Sequence, residues 1–238
     1  GLRDCGYQRL DVRPTTLADP SLRKAAVEMG FRINCMGIVF DADALHRDDP
    51  NAVERALDEV QRASQLGISL GASVTYLVPG KDGSKTALAK YANSLAEAAE
   101  RAQKAGSILC VEHFPGLSLP TALDTLDFLE AVDHSNLYLL LDLGHLQISK
   151  EDPVEIIERA GERLGYVHLD DNDGVGDLHL PLLQGVMKED DLQRTLVALD
   201  ACGYDKAVSL ELSPKLANPL QALSEGYEIV SRLLTSSA

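Results

Sequence analysis

The segment Leu137–His145, LYLLLDLGH, opens with a short apolar run and turns polar at Asp142. A run of this length is typical of a buried strand, and the aspartate falls where that strand would end. Three further apolar runs also end directly in a residue that can bind a metal ion. They are SILCV before Glu112, GYV before His168 and AVSL before Glu211.

The four polar strand ends are separated by roughly 25 to 45 residues, which leaves room each time for a helix, a strand and two loops. Repeated strand–helix units place their strands in parallel, so equivalent strand ends meet at one rim. Two glutamates, one aspartate and one histidine at that rim predict a site for one divalent cation. Because oxygen-rich ligation discriminates poorly, Mn²⁺, Mg²⁺, Co²⁺ and Zn²⁺ all fit the prediction.

The size and charge of the chain limit its architecture and its partners. Its 238 residues match the ~250 of one (β/α)₈ barrel, and 45% of them are hydrophobic, so we expect a single domain over residues 1–238. A net charge of −15 opposes binding to nucleic-acid phosphates and to membrane surfaces. The chain contains no apolar run long enough to span a membrane.

The cysteines indicate the compartment. The four of them lie far apart in the sequence, without a CxxC pair. Cys35 and Cys110 fall in apolar stretches, which predicts reduced core residues. We therefore expect a cytoplasmic protein.

The pattern predicts seven strands with amphipathic helices between them. The expected strands are 7–12, 32–39, 71–78, 107–112, 137–142, 165–169 and 206–212. The expected helices are 52–65, 86–105, 120–132, 153–164, 190–202 and 219–234. Since a closed barrel has eight strands, we expect a (β/α)₈ TIM barrel that lacks its first strand in this chain. An unrecognised first strand or an open barrel are the alternatives.

The motif Asp142-Leu-Gly-His145 brings a carboxylate and an imidazole within three residues of each other. If Gly144 allows a tight loop, both side chains face one centre. Alternatively, Asp142 caps the next helix and His145 lies on the surface.

A second motif, His168–Gly174 (HLDDNDG), is followed by Asp177-Leu-His179. Alternation along a strand sends Tyr166 and His168 to the same face, the interior of a barrel. The alternatives are a hydrogen-bonded core histidine at 168 and a solvated loop at Asp177 and His179. The acidic run 170–173 is read partly as a polar turn.

Glu112 and Glu211 each follow an apolar strand, where a buried carboxylate is costly unless it is paired or metal-bound. A salt bridge to a neighbouring Arg or Lys is the alternative to metal binding. No single motif decides between the two, but their recurrence at four successive strand ends favours the metal site.

The segments VEHFPG, LLLDLGH, VHLDDNDGVGDLHLPLLQG and SLELSP together resemble the xylose-isomerase-like TIM-barrel superfamily. That group includes sugar isomerases, ketose epimerases, inosose dehydratases and apurinic endonucleases. The resemblance implies that one divalent metal is bound by Glu112, Asp142, His168 and Glu211. It also implies that His145 contacts the substrate or a second metal.

Two departures from the family pattern affect the expected substrate. Apurinic endonucleases carry extra histidines on strands three and four, where this chain has Val39 and Val78 or their neighbours. Together with the net charge, this argues against action on nucleic acid. Many epimerases and dehydratases carry Lys or Arg two residues after the strand-seven histidine, where this chain has Asp170.

The resemblance implies a metal-dependent isomerase or epimerase that acts on a small sugar or polyol beside its carbonyl. Glu112 and Glu211 would remove and return the proton, and His145, Asp177 and His179 would bind substrate oxygens. The alternatives are a dehydratase or lyase of a cyclic polyol, an apurinic-endonuclease-like hydrolase, and a non-catalytic barrel subunit. Homo-oligomerisation is left open.

Overall fold

The computed structural model describes residues 1–17 and 19–236, and the chain divides into two compact units. The N-terminal unit is Gln8–Leu140, and the C-terminal unit is Leu141–Ala238 together with Gly1–Tyr7. The single domain expected over residues 1–238 stays a prediction.

Seven strands occur among the described residues, as the sequence predicts. The strands are β1 (Arg9–Val12), β2 (Arg32–Gly37), β3 (Val74–Leu77), β4 (Ile108–Glu112), β5 (Leu137–Asp142), β6 (Leu164–Leu169) and β7 (Val208–Leu210). Strands β1 to β5 pair in parallel within the N-terminal unit, and β6 pairs in parallel with β7 within the C-terminal unit. This is the repeated strand–helix topology expected of the barrel class.

The helices follow the predicted order, with several additions. They are α1 (Pro14–Leu17), α2 (Pro20–Glu28), α3 (Pro50–Ser69), α4 (Lys85–Ala105), α5 (Ala122–Val132), α6 (Leu143–Ser149), α7 (Pro153–Ala160), α8 (Glu189–Ala201) and α9 (Pro219–Ser236). Helices α1, α2 and α6 and a 3₁₀ turn at Ala42–His46 were not predicted. The helix predicted over 153–164 ends at Ala160, because a 3₁₀ turn at Gly161–Arg163 leads into β6.

Side-chain caps start the two long helices of the N-terminal unit. The carboxylate of Asp49 accepts hydrogen bonds from the backbone N–H groups of Asn51 and Ala52 at the start of α3. The hydroxyl of Ser84 accepts one from the N–H of Ala87 at the start of α4. Each cap satisfies donors that a helix start leaves without partners, so it fixes where the helix begins.

Asn136 ties the start of β5 to its neighbours in the N-terminal unit. Its side-chain amide is buried and donates hydrogen bonds to the carbonyl oxygens of Ala99 in α4 and Ser107 beside β4. Because both acceptors are buried backbone groups, the amide sets the register of this strand against its surroundings. The strand that ends in Glu112 is thereby held in place.

The segment Asp142–His145 is the first turn of a helix, so of the two alternatives for this motif the helix cap is observed and the tight loop is not. The carboxylate of Asp142 accepts the N–H of His145 at 2.8 Å, which is a helix N-cap, and α6 follows directly. Gly144 therefore lies inside the helix and does not bend a loop.

Two other expectations concern the cysteines and membranes. Cys35 and Cys110 are buried and form no disulfide, as predicted for core thiols. No helix within residues 1–17 and 19–236 combines the length and the apolar character that a membrane crossing requires.

We predict opposite effects on stability for two glycines of the N-terminal unit. Gly106 ends α4 with φ +87°, so Gly106→Ala should lower the free energy of unfolding by about 1–2 kcal/mol. Gly67 lies within α3, where an added Cβ meets Met36 Cβ at an ordinary 3.5 Å, so Gly67→Ala should be neutral or stabilising by up to ~1 kcal/mol. Urea unfolding followed by circular dichroism measures both, and equal effects would contradict this account.

Candidate metal centre

An imidazole lies between two carboxylates in the C-terminal unit. The Nδ1 atom of His168 is 2.7 Å from Oε2 of Glu211 and 3.8 Å from Oδ2 of Asp142. Each of the three residues offers a ligand atom within 4.8 Å of the others. Three of the four predicted metal ligands are thus brought together within this unit.

Parallel strands explain why these side chains meet. Asp142 is the last residue of β5, His168 is the last but one of β6, and Glu211 directly follows β7. The N–H of Glu211 bonds to the carbonyl oxygen of Leu169 at 3.1 Å, which extends the β6–β7 pairing by one residue. The ring of Tyr166 lies edge-on to that of His168, with centroids 5.7 Å apart, so both side chains share one face as predicted.

Burial sets the electrostatics of the centre. Asp142 and His168 are almost fully buried, whereas the side chain of Glu211 is 30% exposed. Burial raises the pKa of Asp142, the charge of Asp170 raises it further, and His145 and His168 oppose the rise. The centre therefore favours a cation that compensates its carboxylates.

Glu112, the fourth predicted ligand, is the last residue of β4 in the N-terminal unit. It is buried, with 5% of its surface exposed, and its Cα is the register partner of Leu140 on β5. Glu112 thus occupies the strand-end position that the sequence predicted.

Both readings of the Asp142–His145 motif are partly right. Asp142 caps α6 with one carboxylate oxygen and contacts His168 with the other. His145 is 1% exposed, so the surface position considered for it is wrong. Its Nδ1 lies 3.9 Å from Asp142 and its Nε2 lies 3.6 Å from Asp177.

The three predicted substrate-binding residues also meet in the C-terminal unit. His179 places Nδ1 3.2 Å from Asp170 and Nε2 3.2 Å from Oδ1 of Asp177, the oxygen that also faces His145. Hydrogen bonding to Asp170, and next to Asp177, raises the pKa of His179 to about 11. The pKa of Asp177 is lowered, first by His145 and then by His179.

The run Asp170-Asp171-Asn172 is fully buried, so its interpretation as a polar turn is wrong for these three residues. Each side chain accepts backbone N–H groups from a different segment. Asp170 accepts from Gly144, Asp171 from Gly185 and Met187, and Asn172 from Leu178 and His179. The run braces the loops around the centre, because buried acceptors require these partners.

Sequence reasoning missed this brace. The available signal was that the run follows an apolar strand without an intervening turn residue. The positions of Gly144 and Gly185 give a second signal, since a Cβ on either glycine would overlap a member of the brace.

His46, which the sequence analysis did not single out, fixes a loop of the N-terminal unit. Its Nε2 accepts the N–H of Gly80 at 3.1 Å, and its ring stacks on Tyr91 with centroids 4.1 Å apart. The carbonyl oxygen of Gly80 in turn accepts the N–H of Ser118 at 2.9 Å. His46 therefore links the loop after β3 to the loop after Glu112.

Residues 2–233 match the family model described as xylose isomerase-like TIM barrel. The chain belongs to this family. The fold class predicted from the sequence is thereby confirmed, together with the resemblance on which it rested.

Relatives in the xylose isomerase-like family include sugar epimerases and dehydratases. The chain is 26% identical to a D-psicose 3-epimerase of Enterocloster bolteae over 160 residues, 62% of this chain and 53% of that protein. It is 26% identical to an L-ribulose 3-epimerase of a Methylomonas species over 186 residues, 72% and 63% of the two chains. The chain is 30% identical to an inosose dehydratase of Clostridium perfringens over 136 residues, which are 50% of this chain and 46% of that protein. The matched region thus spans less than two thirds of each relative.

Solved structures show the same fold. A D-tagatose 3-epimerase-like protein superposes with a TM-score of 0.80 at 19% identity, covering 98% of this chain and 91% of that one. The structure of an L-ribulose 3-epimerase superposes with a TM-score of 0.80 at 21% identity, covering 98% of this chain and 86% of that one.

We predict that Gly144→Ala disrupts the brace. The added Cβ would overlap both carboxylate oxygens of Asp170 and the amide nitrogen of Asn172, so Asp170 must move. Stability should fall by about 1–3 kcal/mol, measured by thermal unfolding.

Gly176→Ala is the matched control, because its Cβ meets the flexible side chain of Leu178 at 3.4 Å and Oδ1 of Asp173 at 3.8 Å, both ordinary contacts. It should change stability by less than ~0.5 kcal/mol. An unfolding curve for Gly144→Ala that overlays the wild-type curve would contradict the described packing.

Proposed function

We propose that the chain is a divalent-metal-dependent isomerase or epimerase of a small sugar or polyol carbonyl compound. The observation that carries the proposal is the group of Asp142, His168 and Glu211 at successive strand ends. Membership of the xylose isomerase-like family, with 3-epimerases of D-psicose and L-ribulose among the relatives, supports it.

The donor atoms suit a divalent cation. Two carboxylates and one imidazole nitrogen are ligands that Mn²⁺, Mg²⁺, Co²⁺ and Zn²⁺ all accept. The nitrogen that faces both carboxylates is Nδ1 of His168, so the ring is already oriented for ligation. The neutral imidazole and the charged carboxylates are the forms that ligate.

We propose Glu112 as the fourth ligand. Its Cα pairs with Leu140 on β5, and Asp142 follows two residues later on the same strand. Alternate residues of a strand point to the same face, so Asp142 shares the side of Leu140. The assignment of Glu112 rests on its position at the end of β4 and on the family pattern that the sequence resembles.

A bound divalent ion would polarise the substrate carbonyl and stabilise the charge that develops when the neighbouring proton leaves. Glu211, the most exposed of the three ligands in the C-terminal unit, is suited to take that proton. Glu112 would return it from the other side, which inverts the carbon. His145, Asp177 and His179 would orient the substrate hydroxyls.

Dehydration of a cyclic polyol is the second candidate function. An inosose dehydratase is among the relatives, at 30% identity over 136 residues. The two reactions share the first step, removal of a proton beside a carbonyl, and they differ in whether a β-hydroxyl then leaves. The absence of a nucleic-acid partner, the cytoplasmic location and the oligomeric state stay predictions.

The function is tested with D-psicose, L-ribulose and an inosose, each incubated in D₂O with one of the four metals. Epimerisation should give a product with one deuterium beside the carbonyl, and dehydration should give a product that has lost water. Glu211→Gln is nearly isosteric but removes the proton acceptor and one ligand charge. It should lower kcat by about 100-fold or more with metal saturating, at an unchanged melting temperature.

Glu228→Gln makes the same change at an exposed position on α9 and should retain wild-type kcat. If Glu211→Gln keeps most of its kcat, Glu211 is not the proton acceptor. If the wild-type chain exchanges no deuterium into any of the three compounds, the proposed reaction class is wrong for them.

A further inference from the structure

Asp170 is a carboxylate that the proposed reaction does not use, although it lies among the residues that do. It directly follows β6, two residues after His168, and it is fully buried. A buried carboxylate at this position is costly unless its oxygens have strong partners.

Both oxygens of Asp170 have such partners. Oδ1 accepts the N–H of Gly144 at 2.8 Å, and Oδ2 lies 3.2 Å from Nδ1 of His179. The amide nitrogen of Asn172 is 3.4 Å from Oδ2. The carboxylate therefore joins the first turn of α6 to the loop that carries His179.

His179 is held from several directions at once. Its N–H bonds to Oδ1 of Asn172 at 3.0 Å, its carbonyl oxygen accepts the N–H of Ser213 at 3.0 Å, and its Nε2 faces Asp177. Its backbone has φ +47°, in the left-handed region that non-glycine residues seldom adopt.

Within the proposed function, we propose that Asp170 is a positioning residue for substrate binding. Its carboxylate holds the imidazole of His179 in place and, through the N–H of Gly144, ties that imidazole to the turn that carries Asp142 and His145. The loop between Asp173 and His179 is thereby ordered before the substrate arrives. The free energy of substrate binding therefore does not include the entropic cost of ordering this loop.

This role predicts a particular kinetic signature. Asp170→Asn keeps the size of the side chain and an oxygen for the N–H of Gly144, but it removes the charge opposite His179. Because the lost interaction acts on binding, KM should rise about tenfold while kcat changes less than ~3-fold. Mn²⁺ affinity, measured by calorimetry, should stay within ~3-fold, because the turn that carries Asp142 keeps its partner.

Asp152→Asn is the control, since Asp152 also accepts a backbone N–H and forms an ion pair, with Arg194, but it lies outside the buried run 170–172. It should leave KM unchanged even if it lowers the melting temperature. His179→Gln removes the other partner of the Asp170–His179 pair. His179→Gln should raise KM as Asp170→Asn does. The variant that combines both substitutions should raise KM no further than His179→Gln alone.

Imidazole ¹⁵N NMR gives a readout that needs no substrate. In the wild-type chain the Nδ1 resonance of His179 should show the ion pair with Asp170, whereas in Asp170→Asn this resonance should shift and the pKa of His179 should fall. If none of the sugars is converted, the proposed function fails while this measurement still decides the role of Asp170. A wild-type KM in Asp170→Asn, or an unchanged His179 spectrum, overturns the proposal.

Discussion

Two carboxylates and one imidazole crowd together at the strand ends of the C-terminal unit, and this arrangement constrains the surrounding structure. Asp142 and His168 are almost fully withdrawn from water, and His168 lies 2.7 Å from Glu211. Buried charges at such distances persist only where a compensating charge or a dense set of hydrogen bonds accompanies them. A divalent cation would supply the first of these, and the fold supplies the second.

The loops around the centre show how the hydrogen bonds are provided. Asp170, Asp171 and Asn172 leave β6 as a buried run and accept N–H groups from three separate segments. Gly144 and Gly185 let the backbone approach these side chains closely, where any Cβ would overlap. The same contacts that satisfy the buried acceptors hold His179 and the start of α6, so packing and site geometry cannot vary independently.

The strands and the grouping of Asp142, His168 and Glu211 could be predicted from the pattern of apolar runs and polar strand ends. Strand β5 was predicted with its observed bounds, since a short apolar run that ends at a polar residue indicates a buried strand. Parallel strands then bring Asp142, His168 and Glu211 together. Helix α6 was missed because its start depends on a cap by Asp142, which the sequence equally allowed as a loop. The run 170–173 was interpreted partly as a polar turn, because the partners that bury Asp170 and Asp171 lie elsewhere in the sequence.

Metal content measured on the purified chain tests the central claim most directly. The account predicts that one divalent ion binds per chain, by mass spectrometry and by calorimetric titration with Mn²⁺. It also predicts that His168→Ala abolishes this binding while the fold, followed by circular dichroism, is retained. A chain that binds no divalent ion, or that binds it equally well without the imidazole of His168, would contradict the account.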